Sequence, residues 1–417
     1  MQIDHKLTSE GQRAPIEESD PRVMLAVRLG QALHRYGIPT HRLESAMNRI
    51  LNRLGLNGHF FAMPTGVLIS FGLPEEHRTS LIRIEPGEVD LEKQSLLDEL
   101  VTDIVDGKVS AVEGIRRVDE IVSAESRYGT LLTVVAFGLS SCAASRFFGG
   151  GWREALVSAG IGLVIGGISV VLKQSEDARR IVEPGASLVA AMLAVAAASV
   201  VRPLSIYIAT LAGLIVLLPG LMVTTAVREL ATNNLISGTA RLTGAALIFF
   251  EMGFGVALGS RIARAIFPVA VNLAPQSLPA WSLYLSLVLA PLGFVVLLRA
   301  RPRDIPVVVL ASLLSFSGAR VGALMFGPQL GVCLGAVIVG AASNLYARRF
   351  NRPSAVPLVP GIILLVPGSI GYGSLSKFLE SDVLSGIDTA FTMMLVAVAL
   401  VTGLLVSNLV VSPRRAL

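Results

Sequence analysis

The stretch Gly213-Leu-Ile-Val-Leu-Leu-Pro-Gly220 occurs a second time as Gly361-Ile-Ile-Leu-Leu-Val-Pro-Gly368, at an offset of 361 − 213 = 148 residues. Both copies lie inside long apolar runs, where a Pro-Gly step interrupts a helix because proline lacks the N–H and clashes with the preceding turn. In lipid, such a break is tolerated only where the freed backbone faces protein or a water-filled cavity. The two copies therefore predict a pair of interrupted membrane helices, which mark the binding site in secondary transporters.

Composition divides the chain into a polar part and a membrane part. Of the 417 residues 53% are hydrophobic and 16% charged, whereas a soluble protein would carry about 25% charged residues. Residues 1–128 hold most of the charge, and residues 129–411 are mostly Leu, Val, Ala, Gly and Ser. The basic residues stand singly or in pairs between apolar runs, a pattern typical of membrane loops that argues against nucleic-acid binding. The first 20 residues have no apolar core, so no signal peptide is expected.

A spanning helix needs about 20 mostly apolar residues. The sequence predicts ten such segments, at 129–147, 153–173, 181–201, 204–227, 237–261, 280–299, 304–321, 327–347, 355–376 and 386–410. The fourth and ninth segments hold the Pro-Gly steps, and the offset of 148 also relates the first segment to the sixth and the fifth to the tenth.

These relations predict two five-helix repeats, at 129–263 and 278–411. Because five is odd, the second repeat should be inverted relative to the first. The predicted inner loops hold more Lys and Arg than the outer ones, which favours cytoplasmic termini. The predicted fold class is an all-α polytopic membrane protein in two inverted repeats, preceded by a small cytoplasmic α+β domain.

In the N-terminal domain, residues 1–128, periodicity predicts helices and short strands. Thr40 suits the N-cap of the second helix. The histidines fit no metal-ligand spacing, and the sequence has no nucleophile elbow or P-loop. No cofactor, metal or enzymatic activity is therefore expected, although a hydrolytic N-terminal domain stays open as an alternative. The helices are predicted at 21–36, 41–54, 90–105 and 110–122, the strands at 58–63, 66–71 and 80–85, and the histidines are His34, His41, His59 and His77.

Polar residues around the two breaks are candidates for substrate binding. Helix N-termini can hold a carboxylate, and an acid can hold an ammonium group. The alternative is helix packing by small and hydroxyl residues, which is common in membranes. The candidates are Pro219, Gly220, Thr224, Thr225, Glu229, Asn233 and Asn234 at the first break, and Pro367, Gly368, Ser369 and Tyr372 at the second.

Glu251 lies near the middle of the fifth segment, where an acidic residue costs roughly 2.5–3.5 kcal/mol. A buried carboxyl group can take up and release a proton near neutral pH, as proton coupling requires. The alternative is a structural ion pair with Arg241 or Arg320. Arg241 and Asp388 complete the set of coupling candidates, although Asp388 also suits a helix start. The offset places Ala399 opposite Glu251, so the acid has no counterpart in the second half.

Several motifs resemble the threonine/serine exporter family over nearly the whole chain. They include Leu29-Gly-Gln-Ala-Leu-His-Arg-Tyr-Gly-Ile-Pro-Thr-His-Arg-Leu-Glu44, Phe61-Ala-Met-Pro-Thr-Gly66, Arg83-Ile-Glu-Pro-Gly-Glu-Val-Asp90 and Glu229-Leu-Ala-Thr-Asn-Asn-Leu-Ile-Ser-Gly-Thr-Ala-Arg241.

The resemblance implies a multi-pass exporter of the bacterial inner membrane that moves threonine and serine outward with the proton gradient. The implied partners are the substrate, protons and the lipid bilayer, with a homo-oligomer left open. In the broader group the two halves also occur as separate proteins. One such pair is associated with dicarboxylate export, so a succinate-like substrate is the alternative.

Overall fold

The computed structural model of the protein describes residues 20–72, 78–85, 87–172, 175–267, 275–276 and 278–413. In its N-terminal part, four helices pack around a three-stranded antiparallel sheet of order β1-β2-β3. Met63 pairs with Gly66, so Pro64 and Thr65 form the turn that joins the first two strands. His77 lies outside the described residues. The elements are α1 Pro21–Arg35, α2 Thr40–Arg53, β1 Gly58–Met63, β2 Gly66–Phe71, β3 Arg78–Arg83, α3 Leu91–Val105 and α4 Ala111–Ser123.

Thr40 differs from its prediction as a capping residue. Pro39 occupies the N-cap position of α2 and no side chain caps the helix. Thr40 is the first helical residue, and its hydroxyl donates instead to Glu229 in the membrane part, at 2.8 Å. The Thr40 hydroxyl therefore makes a tertiary hydrogen bond and does not cap the helix as the local sequence had predicted.

The rest of the described chain is almost entirely helical. The first group is α5 Thr130–Phe147, α6 Trp152–Leu172, the short α7 Glu176–Arg179, α8 Val182–Val200, α9 Ile206–Gly213, α10 Gly220–Ala231 and α11 Leu235–Ile266. The second group is α12 Trp281–Leu297, α13 Ile305–Phe326, α14 Pro328–Phe350, α15 Ala355–Ile363, α16 Gly368–Leu379 and α17 Val383–Val410, with a 3₁₀ turn at Pro302–Asp304 before α13.

Both predicted breaks are present, between α9 and α10 and between α15 and α16. Helices α10 and α16 have 12 residues each and begin 368 − 220 = 148 residues apart. Helices α11 and α17 begin at the same offset, 383 − 235 = 148. The corners before them hold the left-handed residues Asn233 (φ 62°) and Ser381 (φ 66°), again 148 apart. The offset found in the sequence is thus an offset between matching backbone elements.

Eight helical segments of the described chain are long and apolar enough to cross a membrane, and α12 is a shorter apolar helix. Large apolar side chains cover their outer faces, including Phe250 (64% exposed) and Phe254 (67% exposed) on α11. Such continuous apolar surface is costly in water and suits contact with lipid. The protein is therefore a mostly helical, multi-pass membrane protein.

Candidate functional site

The two helix breaks contact each other. A Cβ atom added to Gly220 would lie 3.0 Å from the Cα atom of Gly368, and one added to Gly368 would lie 3.1 Å from the Cα atom of Gly220. The prolines before them have similar backbone angles, φ −77° and ψ 32° at Pro219 and φ −80° and ψ 20° at Pro367. Since any larger residue would push the two segments apart, glycine at both positions is what permits this contact.

A cavity of about 1100 Å³ opens beside this contact. Gly220, Gly368 and Ser369 line it, together with the two interrupted stretches 215–218 and 363–364 and residues of α12 and α13. Helix α5 lines it from Thr130 to Phe147, a distance of about 25 Å at 1.5 Å per residue. The cavity therefore runs through most of the thickness of the membrane part.

Three arginines and one acid line this cavity among the described residues, namely Arg146, Arg299, Arg320 and Glu88. Arg146 donates its Nε–H to the hydroxyl of Ser282 at 2.7 Å, and Arg299 pairs with Glu88 at 3.0 Å. Arg320 makes no hydrogen bond or ion pair within the described chain. A second cavity of about 350 Å³ shares Arg320 and Ser369 with the first. Within the described chain, Arg320 thus has no counter-ion, and it lines the same two cavities as Ser369, one residue beyond the second break.

The remaining candidates at the breaks do not line the main cavity. The hydroxyls of Thr224 and Thr225 donate to carbonyls one turn back in α10, at 3.1 and 2.9 Å. The buried ring of Tyr372 packs against Tyr207, with centroids 5.9 Å apart. Asn233 and Asn234 form the corner between α10 and α11. In this conformation, the two threonines and the two asparagines therefore contribute to helix geometry, and Tyr372 contributes to packing.

Glu229 lies where the N-terminal domain contacts the membrane part. Its carboxylate is fully buried and accepts from the Arg241 Nε–H at 3.0 Å. Its other oxygen accepts from the Thr40 hydroxyl at 2.8 Å. The structure thus brings together Glu229, predicted for substrate binding, and Arg241, predicted for coupling, in one interdomain ion pair outside the cavity.

The other two coupling candidates lie apart from this pair. Glu251 is half-buried on α11, beside the lipid-facing Phe250, and has no hydrogen bond or ion pair within the described residues. Neither of the two alternative partners, Arg241 and Arg320, is paired with it. Asp388 is exposed in α17. None of the three coupling candidates lines the main cavity.

The first turn of helix α2 holds a half-buried basic group that reaches the second half of the membrane part. Arg42 donates to the hydroxyl of Ser354, just before α15, at 2.7 Å. Burial and, to a smaller extent, the nearby charges of Arg228 and Arg42 together lower the pKa of His41 to about 3. His41 is therefore neutral at physiological pH.

No group of three or more His, Cys, Asp and Glu side chains within the described residues could hold a metal ion.

The main residues missed by sequence reasoning are those of α5. Thr130, Thr133, Phe137, Ser140 and Ala144 all line the cavity. Their spacing of three, four, three and four residues places them on one face of a helix. Hydroxyl and small residues on one helix face are a signal visible in the sequence, but the other faces of α5 are apolar and no single residue stands out.

Comparison with known proteins agrees with this architecture. A threonine/serine exporter family model matches residues 24–263, and a second model described as "Threonine/Serine exporter, ThrE" matches residues 284–410. No solved structure matches the chain. The curated relatives include the "Pheromone-regulated membrane protein 10" of three organisms, Eremothecium gossypii, Candida albicans and Saccharomyces cerevisiae, each 27% identical over 93% of this chain.

The chain spans 56%, 36% and 54% of the lengths of these three relatives. The family models, in contrast, cover both the N-terminal domain and the two groups of membrane helices. The chain therefore belongs to the threonine/serine exporter family.

Proposed function

We propose that the protein is a secondary exporter of small amino acids, with threonine and serine as its first candidate substrates. The observation that carries this proposal is the contact of the two Pro-Gly breaks at Gly220 and Gly368 beside a cavity of about 1100 Å³. Interrupted helices at the interface of two repeats are where secondary transporters bind their substrates. The volume is ample, since ligand pockets typically measure about 300–1,000 Å³.

Alternating access is the mechanism that this arrangement supports best. The matching elements at the offset of 148 support two repeats, at 129–263 and 278–411, and an odd number of segments in each would invert one relative to the other. Rocking of one repeat against the other would expose the cavity first to one side and then to the opposite side. We propose that both termini lie in the cytoplasm. The N-terminal domain, residues 1–128, would then lie on the cytoplasmic side of the membrane.

A dicarboxylate is the second candidate substrate, and a specific observation favours it. Arg320 lines both cavities without a counter-ion in the described chain, and Arg146 lines the larger one. A dianion would neutralise both charges, because guanidinium groups bind carboxylates through paired hydrogen bonds. An amino acid would engage one arginine through its single carboxylate.

A counterflow assay in proteoliposomes, with threonine, serine and succinate side by side, tests both candidates. We expect threonine and serine to accumulate, and Arg320→Gln to lower their uptake because the carboxylate loses its partner. Uptake of succinate alone would replace the first proposal with the second. Uptake of none of the three by protein that remains monodisperse would contradict both.

Proton coupling through Glu251 is the finer part of the proposal. The half-buried carboxyl group is an acid inside the membrane-spanning helix α11 and has no ion pair within the described residues. Glu251→Gln should keep counterflow, which needs no driving force, and lose efflux driven by an imposed pH gradient. Glu380→Gln, at an exposed acid on the corner after α16, is the control. Full proton-driven efflux by Glu251→Gln would remove the residue from the mechanism.

A further inference from the structure

Residues 88–92 of the N-terminal domain lie against the corner that joins α12 to α13. The backbone N–H of Leu91 donates to the carbonyl of Leu298 at 3.0 Å, and that of Glu92 to the carbonyl of Arg299 at 3.1 Å. The side chain of Leu91 is buried in an apolar cluster with Val295 of α12. This segment is thus held to the second half of the membrane part by both backbone and apolar contacts.

Arg299 adds ion pairs to the same contact. One terminal nitrogen lies 3.0 Å from a carboxylate oxygen of Glu88, and the other lies 3.5 Å from Asp90. Nearby, Arg301 pairs with Glu99 of α3 at 3.3 Å. The α12–α13 corner thus places two arginines against acids of the N-terminal domain.

This contact also forms one end of the main cavity. Glu88, Val89, Tyr128 and Arg299 are lining residues, and the Tyr128 hydroxyl donates to the carbonyl of Ala300 at 2.6 Å. The opposite end of the lining includes Arg146 and the corner after α5. The N-terminal domain is therefore a wall of the cavity and not a separate module beside it.

The backbone of Arg299 carries a further indication. Its φ angle is 52°, in the left-handed region that favours glycine. At the corner after α5, which takes the corresponding place at the other end of the cavity, the left-handed residue is Gly149, with φ 82°. Non-glycine residues held in this region cluster at functional sites. An arginine at this corner, where the other corner has glycine, indicates that its side chain has a function here.

We propose that residues 88–92 are the cytoplasmic gate of the cavity and that Arg299 is its latch. The gate rests on the proposed function, because it assumes that the cavity is the substrate path. A substrate arriving from the cytoplasm reaches the breaks only when the ion pairs of Arg299 with Glu88 and Asp90 separate and the α12–α13 corner moves away from this segment. The N-terminal domain then controls entry into the transporter.

Accessibility of the cavity tests the gate without any substrate. In a chain carrying Cys142→Ser and Cys333→Ser, Thr133→Cys places a single thiol in the cavity wall, one turn into α5. A membrane-impermeant methanethiosulfonate reagent added on the cytoplasmic side should label it slowly. Arg299→Glu repels Glu88 and Asp90 and should raise the labelling rate several-fold. Arg303→Glu makes the same charge change at an exposed position of the same corner and should leave the rate unchanged.

A reversible cross-link tests the gate during transport. Glu88→Cys with Arg299→Cys, joined by a bis-methanethiosulfonate linker, should stop counterflow, and a reductant should restore it. The same linker across Arg28→Cys and Asp119→Cys, which join α1 to α4 inside the N-terminal domain, should have no effect. Undiminished counterflow in the cross-linked protein, or equal labelling in Arg299→Glu and Arg303→Glu, would overturn the gate. Failure of the reduced protein to transport would instead count against the proposed function, and the labelling rates would still decide the gate.

Discussion

Gly220→Val should abolish counterflow while leaving the protein folded in the membrane. The added side chain would collide with Val366 and with the backbone of Gly368, so the two breaks would separate beside the cavity. Overpacking of this kind costs about 1–3 kcal/mol, which is less than the stability of a typical folded protein. The measurement is the initial counterflow rate in proteoliposomes, compared with the melting temperature of the purified protein.

Gly167→Val is the matched control, because a Cβ atom at Gly167 in α6 meets nothing within 4 Å. The same glycine-to-valine change should there leave transport near the wild-type rate. Gly368→Val should reproduce the loss from the other side of the contact, since its Cβ atom would meet Gly220. Wild-type rates in Gly220→Val would show that contact between the breaks is not required for transport.

Arg241→Met should lower the melting temperature sharply, since it leaves the fully buried carboxylate of Glu229 with only the Thr40 contacts. Breaking a buried ion pair by removing one partner costs about 3–5 kcal/mol. Glu229→Met should have an effect of similar size, because Arg241 then loses its acid. The double variant should lose less than the sum of the two single variants, because no uncompensated charge remains.

Arg116→Met provides the control for this pair. Arg116 pairs with Glu113 on the exposed face of α4, where ion pairs contribute little, so the melting temperature should hardly change. The stability measurement also separates two roles of Glu229. If Glu229 bound substrate and did not join the domains, Glu229→Met would transport poorly yet melt at the wild-type temperature.

Much of the membrane fold could be predicted because lipid imposes simple rules on sequence. Proline is unfavourable in a helix interior, and Pro219 and Pro367 located both breaks, although Pro291 and Pro360 lie inside helices. The offset of 148 residues can be found without knowing where any side chain lies. It relates the start of α10 to that of α16, and the start of α11 to that of α17. Helix ends were less predictable, since α11 extends to Ile266 and α13 to Phe326, beyond the predicted segments.

The site was predictable only in part, because the role of each polar side chain depends on contacts with residues far away in the sequence. Glu229 and Arg241 looked like separate functional residues, and their pairing with Thr40 depends on how the N-terminal domain docks. The backbone positions Gly220 and Gly368 were predicted from local chemistry alone. The cavity face of α5 was missed because apolar residues cover its other faces, so its threonines and serines resemble ordinary packing residues.

The contact between Gly220 and Gly368 has a mechanical consequence. Two glycines present no side chains that would have to disengage before the segments turn on one another. Their crossing angle can therefore change while the Cα atoms stay in contact, and little buried area is lost in doing so. Under alternating access, this point would behave as a fulcrum. The halves would tilt about it, and the two ends of the cavity, at Arg299 and at Arg146, would open in opposite senses.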